Sequence, residues 1–267
     1  MSIRLGRIPY LNSEVFYQDF PLDLVEVTDY VPSALSRAAR RGEVDIGPVP
    51  TVTGFELEDQ FMPFRNFGIA VRGKARSVLL FSRRPVEELQ GSRIGITGES
   101  ATSVRLLKVL LTRHYGVIPE RYVSTKEVQS DAVLLIGDAA LNNRKGLPSY
   151  PRVYDLAEMW EQWTGLPFVF ARWIVRKDLN QQALDFLGEL LSKSLERGMQ
   201  RIDQIAAKRA DLSMTVEEVR EYLHGFTYIL GDKEDEAIEL FRTYLEAYDH
   251  GVAAVGKPPL GKRPNAG

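Results

Sequence analysis

The chain contains no cysteine. That absence excludes disulfides, thiolate metal sites and a cysteine nucleophile, and leaves the redox compartment open. Histidine is scarce: His114, His224 and His250 are the whole set. None falls at the carboxyl end of an expected strand, so histidine acid–base chemistry is not expected. HExxH, P-loop and GxGxxG patterns are missing where they would act, and the Gly95 to Gly98 turn has the wrong spacing for a dinucleotide fingerprint. No cluster of acids and histidines stands out, so neither metal nor cofactor is expected. No apolar run approaches the ~20 residues of a membrane helix. The first residues, MSIRLGRIPYLNSEVFY, show no basic segment leading into an apolar one. A cytoplasmic protein with no membrane partner is expected. Charge is balanced, with a formal net charge of −2, so no basic field invites nucleic acid.

What is present is enough for two ordinary lobes: 267 residues, 44% hydrophobic and 26% charged. The organising stretch is 92–111, SRIGITGESATSVRLLKVLL. Residues 93–97 read as a buried strand, Gly98, Glu99 and Ser100 as a turn, and a helix follows from Ala101 or Thr102. Val104, Leu107, Leu111 and Tyr115 share one face of it. A helix start carries unpaired N–H groups and a positive dipole end, which suit an anion. Ser100, Thr102 and Ser103 add hydroxyls there. Plain N-capping is the alternative role for these residues.

The same unit opens the chain. Residues 3–8 read as a strand, Pro9 to Leu11 as a turn, and Asn12 and Ser13 as the cap of a helix over 14–20. A strand at 24–28, a helix from Pro32 closed by Gly42, and a strand at 44–47 give β-α-β-α-β. That order predicts a parallel sheet with ligands at the carboxyl ends of its strands. Residues 61–72 are ambiguous. Residues 77–83 form an apolar strand, followed by a short helix at 85–89, the organising unit, strands at 122–124 and 132–137, and a helix starting at Asp138. Asp155 is the expected cap of a helix carrying Met159 and Trp163. Residues 168–175 form another long apolar strand. From Asp178 onward the periodicity is helical throughout, with charges on the solvated face, and the tail from Gly256 is expected to be mobile. Two α/β lobes follow, 1–80 with 174–267 and 81–173. The strands at 77–83 and 168–175 make the two-strand hinge between them, with the ligand cleft between lobes.

Five stretches carry a resemblance: RIPYLN (7–12), GEVDIGPV (42–49), SATSVRLL (100–107), LIGDAAL (135–141) and WTGLPFVFARW (163–173). In this order they resemble the chorismate dehydratase family of menaquinone biosynthesis by the futalosine route. The architecture resembles the type II periplasmic-binding-protein fold: α/β, two-lobed, with a two-strand hinge and a helical C-terminal segment. The Leu11-Asn12-Ser13 stretch does not resemble the Asn-Asp-Thr stretch typical of the sister enzyme, 1,4-dihydroxy-6-naphthoate synthase.

The resemblance implies a hydro-lyase that converts chorismate, its small-molecule substrate, to 3-[(1-carboxyvinyl)oxy]benzoate. Aromatisation drives that reaction, leaving the protein to bind, orient and handle a proton. Asn12 and Ser77 are the implied catalytic residues at the reacting part of the cleft. Ser100, Ala101, Thr102 and Ser103 are expected to bind substrate, with Thr102 and Ser103 on its carboxylates. Gly137, Asp138, Tyr10 and Val49 complete the expected lining. Asn12 has a second role as a helix cap, and as an amide it orients but takes no proton. Asp138 reads either as a helix N-cap or as a general base, with Glu99 a second candidate base. A substrate carboxylate taking the proton is a third route. Tyr10, Phe168 and Trp173 suit a ring wall, or the last two a core. Because this is first of all a binding fold, a cytoplasmic anion sensor without turnover is the competing function. Nothing in the sequence sets an oligomeric state.

Overall fold

A computed structural model describes residues 3–18, 20–21, 24–98, 101–125, 130–209 and 212–250. In chain order the elements are β1 (Ile3–Arg7), a 3-10 helix (Leu11–Tyr17), β2 (Val25–Asp29), α1 (Pro32–Arg40), β3 (Ile46–Pro50), α2 (Thr51–Glu56) and β4 (Phe61–Val71). Next come β5 (Val78–Ser82), a 3-10 turn (Val86–Glu88), β6 (Arg93–Ile96), α3 (Ala101–Val109) with a π turn (Leu110–His114), β7 (Arg121–Ser124), β8 (Ala132–Ile136), α4 (Gly137–Asn142), β9 (Arg152–Asp155) and α5 (Leu156–Thr164). The chain closes with β10 (Phe168–Arg176), α6 (Gln181–Gln200), α7 (Ile202–Lys208), α8 (Val216–His224), β11 (Phe226–Ile229) and α9 (Asp232–Asp249). No described helix is long and apolar enough to cross a membrane.

The strands form two sheets. One has the order β11-β4-β10-β3-β1-β2 and the other β7-β6-β8-β5-β9. In the first, β1 runs parallel to β2 and β3, while β10 is antiparallel to both β3 and β4. In the second, β6 is parallel to β7 and β8, and β5 is antiparallel to β8 and β9. Parallel pairs need helical crossovers, and α1 and α3 supply them. Pro32 stands in the first turn of α1, where its missing N–H costs nothing, and Leu35, Ala38 and Ala39 are buried beneath it. Gly42 ends that unit at φ +67°, a conformation glycine adopts without strain.

Hydrogen bonding assigns each long connecting strand to one sheet. The strand at 77–83 belongs wholly to the second sheet as β5, and that at 168–175 wholly to the first as β10. The chain therefore passes from the first sheet to the second through residues 72–77 and returns through 165–167. Asp155 ties the first crossing to the start of α5. Its carboxylate accepts the Arg76 N–H at 2.6 Å and caps α5 through Ala157 and Glu158 at 3.0 and 3.3 Å. Gly165, at φ +75°, ends α5 and turns the chain into the return crossing.

Other expectations shift for local reasons. The strand expected at 44–47 runs instead over 46–50, through two prolines. Proline cannot donate to a ladder, and β3 meets β1 at a single position, Leu5 with Ile46, before the prolines begin. The ambiguous stretch at 61–72 is the 11-residue strand β4, with Phe61, Phe64 and Phe67 buried. The helix expected over 85–89 is a single 3-10 turn. Among the helices of the last third lies a strand the periodicity hid, β11, paired with the outer edge of β4. The tail expected to be mobile lies outside the described residues.

Both lobes draw on one core. Asp45, buried at the end of the first sheet, accepts two hydrogen bonds from the Arg4 side chain at 3.0 and 2.6 Å and pairs with Arg176 at 3.3 Å. Burial pushes its carboxyl pKa up, but the two guanidinium groups pull it below the ordinary aspartate value. At the seam, α9 packs across both lobes. Trp163 stacks on Tyr244 with ring centroids 4.6 Å apart, Trp160 meets Phe241 edge-on at 5.8 Å, and Arg105 of α3 pairs with Asp249. Trp160 also donates its indole N–H to the Pro167 carbonyl at 3.0 Å, fastening the return crossing. Phe168 and Trp173 are fully buried in this core, so their wall role gives way to packing.

Candidate active site

A cavity of about 590 Å³, counting its open mouth, lies between the lobes. From the first lobe it is lined by Ile8, Tyr10, Asn12, Ser13 and Pro50, with Ile69 and Phe170 from the central strands. From the second lobe and the crossing come Ser77, Val78, Ser103, Ile136 and Gly137. Asn12, Ser77, Ser103, Tyr10 and Gly137 thus line one cavity.

Asn12 reaches the cavity because the segment after β1 does not fold as expected. Its helix is of 3-10 type and starts at Leu11, with Tyr10 at the cap and no side-chain cap bond. Ser13 turns its hydroxyl back to the carbonyls of Ile8 and Tyr10, the latter at 2.9 Å. Asn12 is therefore not the cap but a residue of the first turn. Its half-buried amide makes no hydrogen bond to the described residues and faces a lined void.

The second lobe divides its hydroxyls. Thr102 is 1% exposed and does not line the cavity. Its Oγ1 accepts the N–H of Val52 at 3.2 Å, joining the start of α3 to α2 of the first lobe. Ser103 lines the cavity at the same helix start. Ala101 is half-buried off the lining. Ser100 and Glu99 lie outside the described residues.

Three further assignments change. Val49 is 1% exposed and packs with Ile8 and Leu35 in the first lobe, so the neighbouring Pro50 lines the cavity in its place. Asp138 is neither the cap of α4 nor a lining residue, since the cap position falls on Ile136 with no side-chain bond. Its carboxylate instead accepts from Arg209, beyond α7, at 2.5 Å and from the Leu11 N–H at 3.5 Å. Those bonds clasp the second lobe to the first and occupy both oxygens. Gly137 sits at φ +55°, and a Cβ there would come within 3.0 Å of the Tyr10 ring. Only glycine lets the two lobes meet this closely.

Two residues escaped the sequence reading. Phe170 lies where the pairing of β10 with β4 skips between Val169 and Ala171. Such a bulge re-aims a side chain, and an unbroken apolar run such as FVFARWIV gives no sign of it. Tyr222 of α8 donates to Ser77 Oγ at 2.8 Å. Its spacing with Val219 and Leu223 reads as an ordinary buried face, and the pairing spans 145 residues.

A family model described as menaquinone biosynthesis matches residues 3–247. The chain belongs to this menaquinone-biosynthesis family. A curated relative, chorismate dehydratase of Thermus thermophilus, is 32% identical over 260 residues, covering 90% of this chain and 94% of that protein. A second from the same organism, 1,4-dihydroxy-6-naphtoate synthase, is 26% identical over 274 residues, covering 97% of this chain and 98% of that one. Among solved structures, the periplasmic aliphatic sulphonate-binding protein SsuA of Escherichia coli superposes with a TM-score of 0.63 at 12% identity, over 99% of this chain and 97% of that one. At that identity the likeness shows the fold alone: the two-lobed periplasmic-binding-protein architecture expected from the sequence.

Proposed function

We propose that this member of the family is a cytoplasmic chorismate dehydratase that removes water from chorismate to give 3-[(1-carboxyvinyl)oxy]benzoate. The observation that carries the reading is the lining of the cavity. One amide and the hydroxyls of Tyr10, Ser13, Ser77 and Ser103, drawn from both lobes and the crossing, interrupt an otherwise apolar wall, and no described lining residue carries an acid, a lysine, an arginine or a histidine. Such a site suits a reaction whose driving force is aromatisation and whose catalyst supplies position more than acid–base strength. In the elimination a ring C–H bond and the ring C–OH bond break. The C–H electron pair joins the aromatic ring, the hydroxyl departs with its own pair, and water is the second product.

Asn12 holds the departing hydroxyl or the enolpyruvyl group through its free amide. Ser77 holds the ring from the crossing. Ser103, at the start of α3, receives a carboxylate, where helix N–H groups favour negative charge. Tyr10 and Phe170 flank the ring. No described lining residue carries a carboxylate, an amine, a guanidinium or an imidazole, and in this reading a substrate carboxylate takes the ring proton. Asp138 serves closure and not proton transfer, because Arg209 and Leu11 occupy its oxygens.

Incubation of the purified protein with chorismate tests this reading. The expected product is a benzoate lighter than chorismate by one water, identified by mass and by its ring absorbance. Tight chorismate binding without turnover would instead mark a binding protein. Inertness toward chorismate together with formation of 1,4-dihydroxy-6-naphthoate from its precursor would move the chain to the reaction of its second relative.

A further inference from the structure

Ser77 lines the cavity, and the protein itself engages its hydroxyl both as donor and as acceptor. Its Oγ donates to the Ala75 carbonyl at 3.2 Å and accepts from the Tyr222 hydroxyl at 2.8 Å. Tyr222 comes from α8, in the helical last third, and is buried against Phe226 with ring centroids 5.1 Å apart. Burial pushes the Tyr222 pKa far above the ordinary phenol value, so its oxygen keeps its proton. The polarity of the pair follows from counting partners. Tyr222 has no other hydrogen-bond partner among the described residues, so the reverse arrangement would leave a buried phenol proton unpaired, which is disfavoured. A serine oxygen offers one proton and two lone pairs. Here the proton and one lone pair are taken, and the second lone pair remains on the hydroxyl of a residue that lines the cavity.

We propose that Tyr222 is a positioning residue that fixes Ser77 as a hydrogen-bond acceptor toward the ligand, so that this part of the cavity takes a substrate hydroxyl and rejects a carboxylate. The inference deepens the dehydratase reading and rests on it for the identity of the hydroxyl. The two polar stations of the second half of the site are thereby sorted by charge. Ser103, at a helix start, suits an anion, and Ser77, presenting a lone pair, suits a neutral donor. A ligand with a carboxylate at one end and a ring hydroxyl at the other fits in a single orientation, which presents that hydroxyl to Asn12 and Ser77 together. The device links the last third of the chain to the chemistry without touching the ligand.

The test uses Tyr222→Phe, which keeps the ring and its packing on Phe226, in a cycle with Ser77→Ala. Rates are taken well below the lowest melting midpoint of the set. In the parent background Tyr222→Phe should lower kcat/KM for chorismate about tenfold, of the order found for coupled neighbours. In the Ser77→Ala background the same change should cost less than about twofold, because the residue it acts through is gone. Isophthalate, a dicarboxylate without a hydroxyl, supplies a binding readout independent of turnover. It should bind the Tyr222→Phe variant more tightly than the parent, since the released Ser77 hydroxyl can now turn its proton to a carboxylate. Equal losses in both backgrounds, or unchanged isophthalate affinity, would overturn the proposal. A parent protein that binds chorismate without turnover would overturn the dehydratase reading alone, and the isophthalate measurement would still decide the role of Tyr222.

Discussion

The two segments that meet over the cavity start from the same plan and end with different tasks. Residues after β1 and residues after β6 each run from a strand through a turn into a helix carrying small polar side chains. After β6 the helix is a full α-helix, and one of its two described hydroxyl residues, Thr102, is given to the other lobe while Ser103 stays with the cavity. After β1 the helix is a 3-10 helix, Ser13 is given to its own turn, and Asn12 is left with an unengaged amide. Position within a helix start therefore does not decide role. Thr102 binds a backbone N–H of the other lobe, Ser13 binds carbonyls of its own turn, and Asn12 makes no hydrogen bond to the described residues.

The change with the largest expected effect attacks the free member of the comparison. Asn12→Asp keeps the size of the side chain at a position that caps no helix, so the melting midpoint should hold. It removes the amide donor and places charge beside an anionic substrate. Single-turnover dehydration should fall at least ~10²-fold, the order seen when a positioning donor is lost. A rate near that of the parent would return Asn12 to a bystander.

Next in size is Gly137→Ala, which tests the contact between the segments. The added methyl meets the Tyr10 ring at 3.0 Å on a backbone held at φ +55°. Overpacking of this kind costs about 1–3 kcal/mol, so kcat/KM should fall roughly 5- to 100-fold as the lobes are wedged apart. Solution scattering on the variant with product should show less compaction than on the parent. Unchanged kinetics would mean that Tyr10 yields freely and that the close approach is incidental.

The smallest effect belongs to the claimed hydroxyl. Thr102→Val removes the acceptor for the buried Val52 N–H, a loss of about 1–3 kcal/mol. It falls on the closed state, so KM should rise while kcat on bound substrate changes little, and Thr102→Ser should restore the parent KM. A fall in kcat at unchanged KM would instead put Thr102 on the substrate.

Much of the framework was legible because it rests on local signals. Pro32 and Gly42 bracket α1, Asp155 caps α5, and alternating strand and helix periods gave the two α/β lobes. The five short stretches matched the family across most of the chain. What stayed hidden is non-local. The helical periodicity of the last third masks β11, whose pairing with β4 spans more than half the sequence. Which sheet each long apolar strand joins was also hidden, because an apolar strand looks the same in either sheet and only its hydrogen-bond partners assign it. Val49 was misplaced and Phe170 passed over for a related reason: β3 and the start of β10 are continuous apolar runs, so alternation does not tell wall from core. Asp138 read as a cap or a base from its place before a helix, while its partners Arg209 and Leu11 lie 71 and 127 residues away.

The central claim, that one cavity between the lobes holds the reacting ring, is tested most directly by a crystal structure of the protein with 3-[(1-carboxyvinyl)oxy]benzoate bound. The account predicts the ring between Tyr10 and Phe170, a carboxylate on Ser103 and the start of α3, the Asn12 amide and Ser77 beside the carbon that lost its hydroxyl, and Asp138 still held by Arg209. Product seated away from Asn12 and Ser77, or a carboxylate on Asn12 with Ser103 untouched, would contradict it.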